Sequence, residues 1–590
     1  MNALSHRLPR SLVIAATLGC PAALRAQNET PVRTVPASSR GVLPVDACAG
    51  QPISDIVIIN QPPYTDKLPR RVDFLRRGVR ALHATTDPAV IQRYLLVKVG
   101  DPCNQISRAE SERILRAQPF LSDARISVYD NGNGGVRLEV ETRDEFSLIV
   151  QPLVRTQAPV FRGLRFGEGN FAGAAKLAAV EWRDGLAYND VLGVQYADYQ
   201  FLGSRNELRL NVRQAERGQD IRLEVVRPYY TDLQRFAFIG SFGSVRDFVS
   251  LRRPGLEQNA VGVAREFANL GGVMRVGPVG RLKLIGGLLT REFERSDTLP
   301  RLITPLGFRP DSGGAVPADF RRQRVTRVNA LLGVRRIRFE RVQGFDALVG
   351  AQDVRVGMQV GLVLGQSIGL FGSRDRDRFV ATNIYGGVGN QRSFLGVQGV
   401  SEARFDRRDG EWDSHVMSGR LAYYAKPATK QLTLMELEYS SGSDMRVPFQ
   451  LSLADRDGGL LGHRRSQDPG AHRMIFRTEQ RLIVPTRYNV GDLGFALFAE
   501  AGRLWRGPTA PYSVTTPVRS AAGLSILAAV PPRSRRLWRV DFAMPVGGDR
   551  DRKFEVRFSS EDRTRVFWQE PRDVLMARER TIPNSLFTWP

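Results

Sequence analysis

The sequence predicts a mainly β protein, a transmembrane antiparallel β-barrel of about sixteen strands that follows one small α+β domain. An export signal begins the 590-residue chain, and short segments of alternating apolar and polar residues continue from Phe146 almost to its end. No apolar run reaches the roughly 18 residues of a membrane-spanning helix. A soluble β-sandwich would also alternate, but the export signal and the length of the alternating region favour the membrane barrel.

The N-terminus has the features of a secretory signal over residues 1–26. Arg7 and Arg10 precede a short apolar run, and a small-residue cleavage site follows it. The apolar run is too short to cross a bilayer as a helix. Residues 27–46 are polar and rich in proline and serine, which predicts an unstructured leader.

Residues 47–144 are predicted to form a compact α+β domain. The segment ISDIVIIN, beginning at Ile53, alternates as a strand does. Apolar residues then recur at helical spacing between positions 72 and 82, which predicts a first helix. Asp87 before Pro88 is a cap followed by a first-turn proline, which predicts a second helix.

A third helix and a hairpin complete this domain. The segment SRAE, beginning at Ser107, is a capping box and predicts the start of the third helix. The turn residues from Asn131 to Gly135 separate two alternating segments, as in a β-hairpin. The domain is therefore expected to end near Asp144.

Two cysteines remain once the signal is removed, Cys48 and Cys103. In an exported protein such a pair is most simply a disulfide. The first lies before the opening strand and the second before the third helix, and closing a loop of this size contributes ~4 kcal/mol in the chain-entropy model. We therefore predict a Cys48–Cys103 bond.

Residues 145–568 are predicted to form the barrel and residues 569–590 a C-terminal tail. Strict alternation with a charged opposite face indicates that one face meets an apolar medium and the other meets water. The apolar members are expected to face lipid: Leu208, Leu210, Val212, Val540, Phe542, Phe554 and Val556. The charged members are expected to face the lumen: Arg209, Arg213, Arg539, Asp541, Glu555 and Arg557.

The sequence has no strong motif for catalysis, cofactor binding or metal binding. There is no phosphate-binding loop and no nucleophile elbow, so no catalytic residue, cofactor or metal site is predicted, and the protein is not expected to be an enzyme. Asp413, Ser414 and His415 are residue types of a catalytic triad, but neighbours on a strand point to opposite faces. His463 and His472 flank a loop, which leaves an acid–base or metal role open as the alternative.

The chain is strongly basic, with a formal net charge of +24. Such a charge is compatible with nucleic acid, anionic lipid or an acidic partner. Because the arginines are scattered over alternating segments, solvated barrel faces are the favoured interpretation. No nucleic-acid partner is expected, and contact with lipopolysaccharide remains an alternative use of the charge.

The segment from His83 to Val128 resembles a POTRA (polypeptide-transport-associated) domain. The resemblance lies in the turn GDP at Gly100, in the helix ESERILR and in the entry PFLSDARISV into the hairpin. It covers roughly residues 47–143. It implies a periplasmic domain that handles polypeptides.

The barrel region resembles the BamA/TamA superfamily of outer-membrane assembly proteins, to which two-partner-secretion transporters also belong. RFGEGNFAGAAKLAAVEWRDG and YADYQFLGSRNELRLNVR are similar to the opening strands of that superfamily. PFQLSLADRDGGLLGHRRSQDPG is similar to the segment leading into a loop that those barrels fold into their own lumen. RTEQRL and FAEAG match the two lumen-facing strand motifs that follow.

The resemblance implies that residues 458–470 form this lumenal loop. Its expected contact residues are Gly462, His463, Arg464 and Arg465, and its expected partners on the lumenal wall are Glu479, Arg481 and Glu500. Family loops carry an Arg-Gly-aromatic core, whereas this chain has Leu461 before the glycine. The chain also has one POTRA-like domain, fewer than is typical, and a tail beyond its last strand.

The implied function is protein handling in the bacterial outer membrane, with the N-terminal domain in the periplasm. An unfolded outer-membrane or secreted client would pair with an edge strand of the POTRA-like domain. It would then be inserted or passed at a lateral seam between the first strand, near residues 147–156, and the last, near residues 553–568. The alternatives are a pore dedicated to one secreted partner and a passive porin-like channel with a periplasmic domain. The sequence indicates no particular accessory protein.

Overall fold

The computed structural model describes most of the chain in fourteen stretches. These are residues 48–63, 84–155, 160–183, 191–215, 218–252, 259–304, 307–311, 322–446, 449–463, 466–484, 491–507, 510, 512–547 and 554–578. The expected signal, the leader and the helix between positions 72 and 82 lie outside the described residues. No helix in the described stretches is long and apolar enough to span a membrane.

The N-terminal domain is a four-stranded sheet with two described helices. Its elements are β1 (Ala49–Gln61), α1 (Pro88–Tyr94), β2 (Pro102–Asn104), α2 (Gln105–Ala117), β3 (Leu121–Asp130) and β4 (Val136–Asp144). The sheet order is β2-β1-β4-β3, and only the pairing of β1 with β4 is parallel. Its core is apolar and includes Ile91, Tyr94, Ile114, Leu115 and Leu138.

The disulfide of this domain is confirmed. Cys48 and Cys103 are bonded, with their Cα atoms 4.9 Å apart. Cys103 is buried in the domain core and Cys48 packs against it. The bond therefore joins the start of β1 to the strand that precedes α2.

The predicted first residues are correct for α1 and wrong for α2. Asp87 caps α1 by accepting a hydrogen bond from the backbone N–H of Ala89 at 2.8 Å, and Pro88 is the first helical residue, as predicted. The capping box at Ser107 was the wrong start for α2. Asn104 caps that helix instead, because its side-chain oxygen accepts from the N–H groups of Ile106 and Ser107.

The barrel wall is a closed ring of antiparallel strands. Its first half contains β5 (Leu148–Arg155), β6 (Val160–Glu168), β7 (Lys176–Arg183), β8 (Val191–Phe201), β9 (Asn206–Ala215), β10 (Gln219–Arg227), β11 (Phe236–Ser250), β12 (Asn259–Val276) and β13 (Leu282–Ser296). A hairpin of β14 (Arg301–Thr304) and β15 (Gly307–Pro310) then extends beyond the wall, and β13 pairs directly with the next wall strand.

The second half of the ring runs from that strand back to the first one. It contains β16 (Gln323–Gln343), β17 (Ala351–Ser367), β18 (Asp377–Gly389), β19 (Ser393–Asp406), β20 (Trp412–Ala425), β21 (Gln431–Ser443), β22 (His472–Val484), β23 (Asp492–Trp505), β24 (Arg519–Ala529), β25 (Leu537–Val546) and β26 (Glu555–Glu561). The ring closes between β26 and β5.

Twenty wall strands are present in the described residues, so the expected number of about sixteen was too low. The physical reason is that short strands occur near the two ends of the barrel region and short turns occur within it. Wall strands near the ends have as few as 7 to 9 residues, and in the middle of the region β18 and β19 are joined by a very short turn. More strands therefore fit into the same length of chain.

The two faces of the wall differ in chemistry. Large apolar side chains point away from the lumen and are exposed, among them Leu270, Leu332, Leu364, Leu421 and Leu497. On β25 and β26, the inward side chains of Arg539, Asp541 and Glu555 are buried, whereas the alternating Phe554 and Phe558 are exposed. This sorting agrees with a water-filled lumen inside an apolar belt.

Candidate functional site

One end of the barrel carries the N-terminal domain, and we call this end the domain mouth. The Tyr94 hydroxyl of α1 donates to the backbone carbonyl of Tyr199 at 3.0 Å, beside the turn after β8. The side chain of Gln200 donates to the carbonyl of Val90 at 2.8 Å. Each contact joins a side chain of one partner to a backbone carbonyl of the other, so together they position α1 against the end of β8.

Helix α2 faces the same mouth and supplies its main ion pair. Arg116 donates two hydrogen bonds to the Asp353 carboxylate of β17, at 3.0 and 2.8 Å. Arg113 of α2 lies 4.0 Å from the ring centroid of Phe339 in β16. Two-point arginine–carboxylate pairs fix orientation as well as distance, so α2 is held across the opening.

The turn between β24 and β25 reaches into the N-terminal domain. Arg535 donates to the backbone carbonyls of Gln118 at 2.7 Å and Leu121 at 2.8 Å, and also to that of Arg116. Ser534 donates to the Glu145 carboxylate at 2.7 Å. Burial raises the pKa of the Glu145 carboxyl, and burial lowers the pKa of Arg535. The linker between domain and barrel is thus buried by this turn.

The edge strand β3, expected to receive a client strand, is covered by side chains. Arg108 of α2 donates to the carbonyl of Ile126, and the Glu112 carboxylate accepts from the N–H of Ile126 at 3.1 Å. Arg116 donates to the carbonyl of Ala124 at 3.3 Å. A strand could add to this edge only after these side chains had moved.

The described part of residues 449–470 contains the predicted loop and the segment that leads into it. We call this whole stretch the lumenal loop, and it contacts the inner wall. The N–H of Leu461 donates to the Glu500 carboxylate of β23 at 3.0 Å, and its side chain packs with Phe498 and Ala543. Arg477 of β22 donates to the carbonyl of Gly459 at 2.8 Å. The loop therefore meets this part of the wall through backbone groups and through the apolar side chain of Leu461.

Two of the four loop residues expected to be functional, Gly462 and His463, lie against the inner wall. Gly462 has a φ of +78°, and a Cβ there would lie 3.2 Å from Pro545 in β25. His463 is buried and its Nε2 lies 3.1 Å from the carbonyl oxygen of Ser520. Arg464 and Arg465 lie outside the described residues, so their pairing with Glu479 or Glu500 stays a prediction.

The expected wall residues form ion pairs that the sequence did not indicate. Glu479 is held by Arg481 on its own strand and by Arg539 of β25, whose Nη1 lies 2.6 Å away. Glu500 has Arg477 Nε at 3.6 Å. Arg539 was expected to face the lumen, but no feature of the sequence assigned it to Glu479, because the two residues lie on different strands.

The chain does not end its last strand near Trp568, as the sequence suggested, but at Glu561. Residues 562–578, which we call the lumenal tail, return into the barrel and end in α3 (Arg572–Arg578). Asp573 pairs with Arg473 of β22, and Arg578 lies 3.3 Å from the Glu402 carboxylate of β19. The aromatic residues after β26 were the sequence signal for this return into the barrel, because large aromatic side chains are seldom left exposed in a solvated tail.

The lumenal tail and the lumenal loop pack against each other. Val574 and Ala577 of α3 share an apolar cluster with Leu451, Leu453 and Leu460 of the loop. A polar cavity of about 470 Å³ lies between the two segments and the wall, and residues such as Glu436, Arg477 and Arg557 line it. Two of the chain's own segments therefore occupy part of the lumen.

The residues considered for chemistry do not form a catalytic centre. His415 Nε2 lies 3.2 Å from the hydroxyl of Ser401, not from Ser414, and Asp413 pairs with Arg446. His472 Nδ1 lies 2.8 Å from the Ser441 hydroxyl. Within the described residues, no group of three or more metal-ligating side chains comes together.

Comparison with known proteins gives a likeness to outer-membrane barrels of solved structure. No family model matches the sequence, and no curated protein matches it significantly. The structure is similar to BamA from Haemophilus ducreyi lacking POTRA domains 1–3, at 13% identity, over 86% of this chain and 85% of that one, with a TM-score of 0.35.

Two CdiB structures are also similar. CdiB from Escherichia coli matches at 11% identity over 90% of this chain and 92% of that one, with a TM-score of 0.41. CdiB from Acinetobacter baumannii matches at 11% identity over 86% and 72%, with a TM-score of 0.39. At these identities and TM-scores the likeness adds nothing to the architecture, which the strand pairing establishes by itself.

Proposed function

We propose that this chain is an outer-membrane barrel that inserts or translocates client polypeptides, with its N-terminal domain in the periplasm. The observation that carries the proposal is the place where the ring closes. Within the described residues, β26 has 7 residues and is the shortest wall strand, and its neighbour β5 has 8. On the opposite side of the ring, β16 has 21.

Short closing strands make the ring easiest to open between β26 and β5. Fewer ladder hydrogen bonds can join short strands than long ones. An open edge in lipid costs several kcal/mol per unsatisfied backbone group, so the edge stays paired until another strand replaces the partner. A client strand is the partner that this geometry accommodates.

The two segments held inside the lumen favour a gated barrel over a passive porin. The lumenal loop and the lumenal tail are held by buried ion pairs, including Arg473–Asp573 and Arg578–Glu402. In a constitutively open channel such pairs would be unfavourable for function, because the segments that they hold block solutes in the lumen. A client that passes through the lumen, and is not released laterally between β26 and β5, must displace the tail first.

The docked N-terminal domain supports the same reading. Its edge strand β3 is covered while α2 lies across the domain mouth, partly by Arg116, which also binds Asp353. Undocking would release Arg116 from the barrel, and exposing the β3 edge would further require α2 side chains to move. Arg116 thus contacts both the barrel at the domain mouth and the edge at which a client strand would bind.

The test is a disulfide across the seam. Val150 of β5 and Phe558 of β26 both face outward, so cysteines scanned around these two positions should include a pair that crosslinks. The matched control is Val540→Cys with Phe558→Cys, which joins β25 to β26, where the two residues are paired. Both proteins keep the native Cys48–Cys103 bond, so treatment with reductant affects them equally.

We expect the seam crosslink to stop client assembly in cells depleted of the wild-type protein and reductant to restore it. The control crosslink should leave assembly unchanged. The readout is the outer-membrane and secreted proteome. If the seam-locked protein supports normal assembly and secretion, lateral opening is wrong; if depletion of the protein changes neither proteome, the proposed function is wrong.

A further inference from the structure

The lumenal tail places an aromatic side chain in a pocket of the barrel wall. The Phe567 ring lies edge-on to Tyr385 of β18 and to Phe394 of β19, with centroid distances of 5.6 and 6.3 Å. The guanidinium carbon of Arg420 in β20 lies 5.0 Å from the same ring centroid. Edge-on aromatic contacts and a cation near a ring are each favourable.

The floor of this pocket is a glycine. A Cβ on Gly396 of β19 would lie 2.4 Å from the Phe567 ring. Any other residue at position 396 would therefore occupy the volume that the ring fills. The wall is shaped for an aromatic side chain at this point.

Polar groups of the wall bind the backbone of the ring residue and the side chains that follow it. Arg420 donates to the backbone carbonyl of Phe567, and the Trp568 indole donates to Glu438 of β21 at 2.9 Å. Ser418 of β20 donates to the Glu570 carboxylate. We call the wall residues of this site the aromatic receptor: Tyr385, Phe394, Gly396, Ser418, Arg420 and Glu438.

The contacts of the aromatic receptor are ones that another polypeptide can supply. They involve an aromatic ring, a main-chain carbonyl, an indole N–H and a carboxylate within four consecutive residues. The polar cavity of about 470 Å³ runs beside this part of the tail, and Val566, next to the anchored ring, is 43% exposed. The site is therefore occupied but not sealed.

We propose that the aromatic receptor binds an extended aromatic–acidic segment of the polypeptide in transit, and that residues 567–570 occupy it when no client is present. This inference rests on the proposed function. The tail competes as a tethered ligand at an effective concentration on the order of millimolar. A client segment of the same chemistry displaces it, and displacement empties part of the lumen.

The test uses the full-length protein in detergent and a fluorescent peptide with the sequence of residues 565–571. Phe567→Ala removes the anchored ring and vacates the pocket, and Val566→Ala is the matched control because its side chain is largely outside the receptor. Loss of the tethered competitor should tighten peptide binding ~10-fold or more in Phe567→Ala. Binding to Val566→Ala should equal binding to the wild type.

A second variant tests whether the peptide enters this pocket. Adding Gly396→Leu to Phe567→Ala should remove the gained binding, because the new side chain fills the pocket. Heat-modifiable mobility on gels shows that each variant is a folded barrel. The proposal is overturned if Phe567→Ala binds no more tightly than the wild type, or if it binds equally well a peptide with serine in place of both aromatic residues.

The two proposals fail in different ways. Absence of peptide binding, with client assembly still dependent on the protein in depleted cells, removes the aromatic receptor and leaves the proposed function. If the peptide binds as expected but depletion changes neither proteome, the proposed function is wrong, and a client is then not the ligand of the receptor.

Discussion

Arg473 and Asp573 form a two-point ion pair inside the barrel, with nitrogen–oxygen distances of 2.6 and 2.9 Å. Arg473 lies on β22 and Asp573 on α3, so the pair joins the wall to the lumenal tail. Arg473 is 1% exposed. A buried charge that loses its partner is strongly destabilising, because water cannot replace the lost contacts.

Replacing Asp573 with asparagine should therefore release the tail. We expect retention of α3 in the lumen to weaken by about 3–5 kcal/mol, and ion conductance through the barrel in planar bilayers to rise. Arg572→Ala, which changes an exposed residue of the same helix, is the control. Equal conductance of the asparagine variant and the wild type would show that this pair does not hold the tail.

Docking of the N-terminal domain should depend on Asp353. In Asp353→Asn, Arg116 loses a charged partner at the domain mouth, which should weaken docking by ~1–3 kcal/mol. Hydrogen exchange of α2 should rise in the full-length protein. Asp297→Asn breaks an exposed pair with Arg301, which is worth only about 0–1 kcal/mol, and should leave exchange of α2 unchanged. Unaltered α2 exchange in Asp353→Asn would contradict the docking role.

An arginine at Leu210 should destabilise the barrel. Leu210 lies in the middle of β9, where it pairs with Tyr196 and Leu223 on the neighbouring strands. If it faces the centre of the bilayer, Leu210→Arg should cost ~2–4 kcal/mol, measured by urea unfolding in lipid vesicles. Leu210→Met is the conservative control, and a similar unfolding midpoint for both variants would mean that this face does not meet lipid.

The lumenal loop should depend on Gly462. Its φ of +78° is unfavourable for a side chain, and a Cβ would also press on Pro545. We expect Gly462→Ala to strain the loop by about 1–3 kcal/mol and to make it more sensitive to protease added to intact cells. Gly369→Ala, at a site with ordinary backbone angles and open space, is the control. Equal cleavage of the two variants would place the loop away from the wall.

Local patterns in the sequence were sufficient for several features. Asp87 before Pro88 identifies the start of α1, since capping is an interaction between residues two apart. Two cysteines in an exported chain identify the disulfide, because no other partner is available to either. Alternation with a period of two identifies the strands and sorts Arg539 and Asp541 inward, because side-chain direction follows from the backbone alone.

Tertiary structure decided which residues meet. The period of a strand gives the face of a side chain but not its partner across the lumen, so the pairing of Glu479 with Arg539 appears only when the ring closes. The number of strands depended on turn lengths that alternation does not report. The inward path of the tail depended on contacts between residues 100 positions apart, such as Arg473 and Asp573. Pairing of those charges and apolar packing of α3 on the lumenal loop, and not any local preference of the chain, place the tail in the lumen.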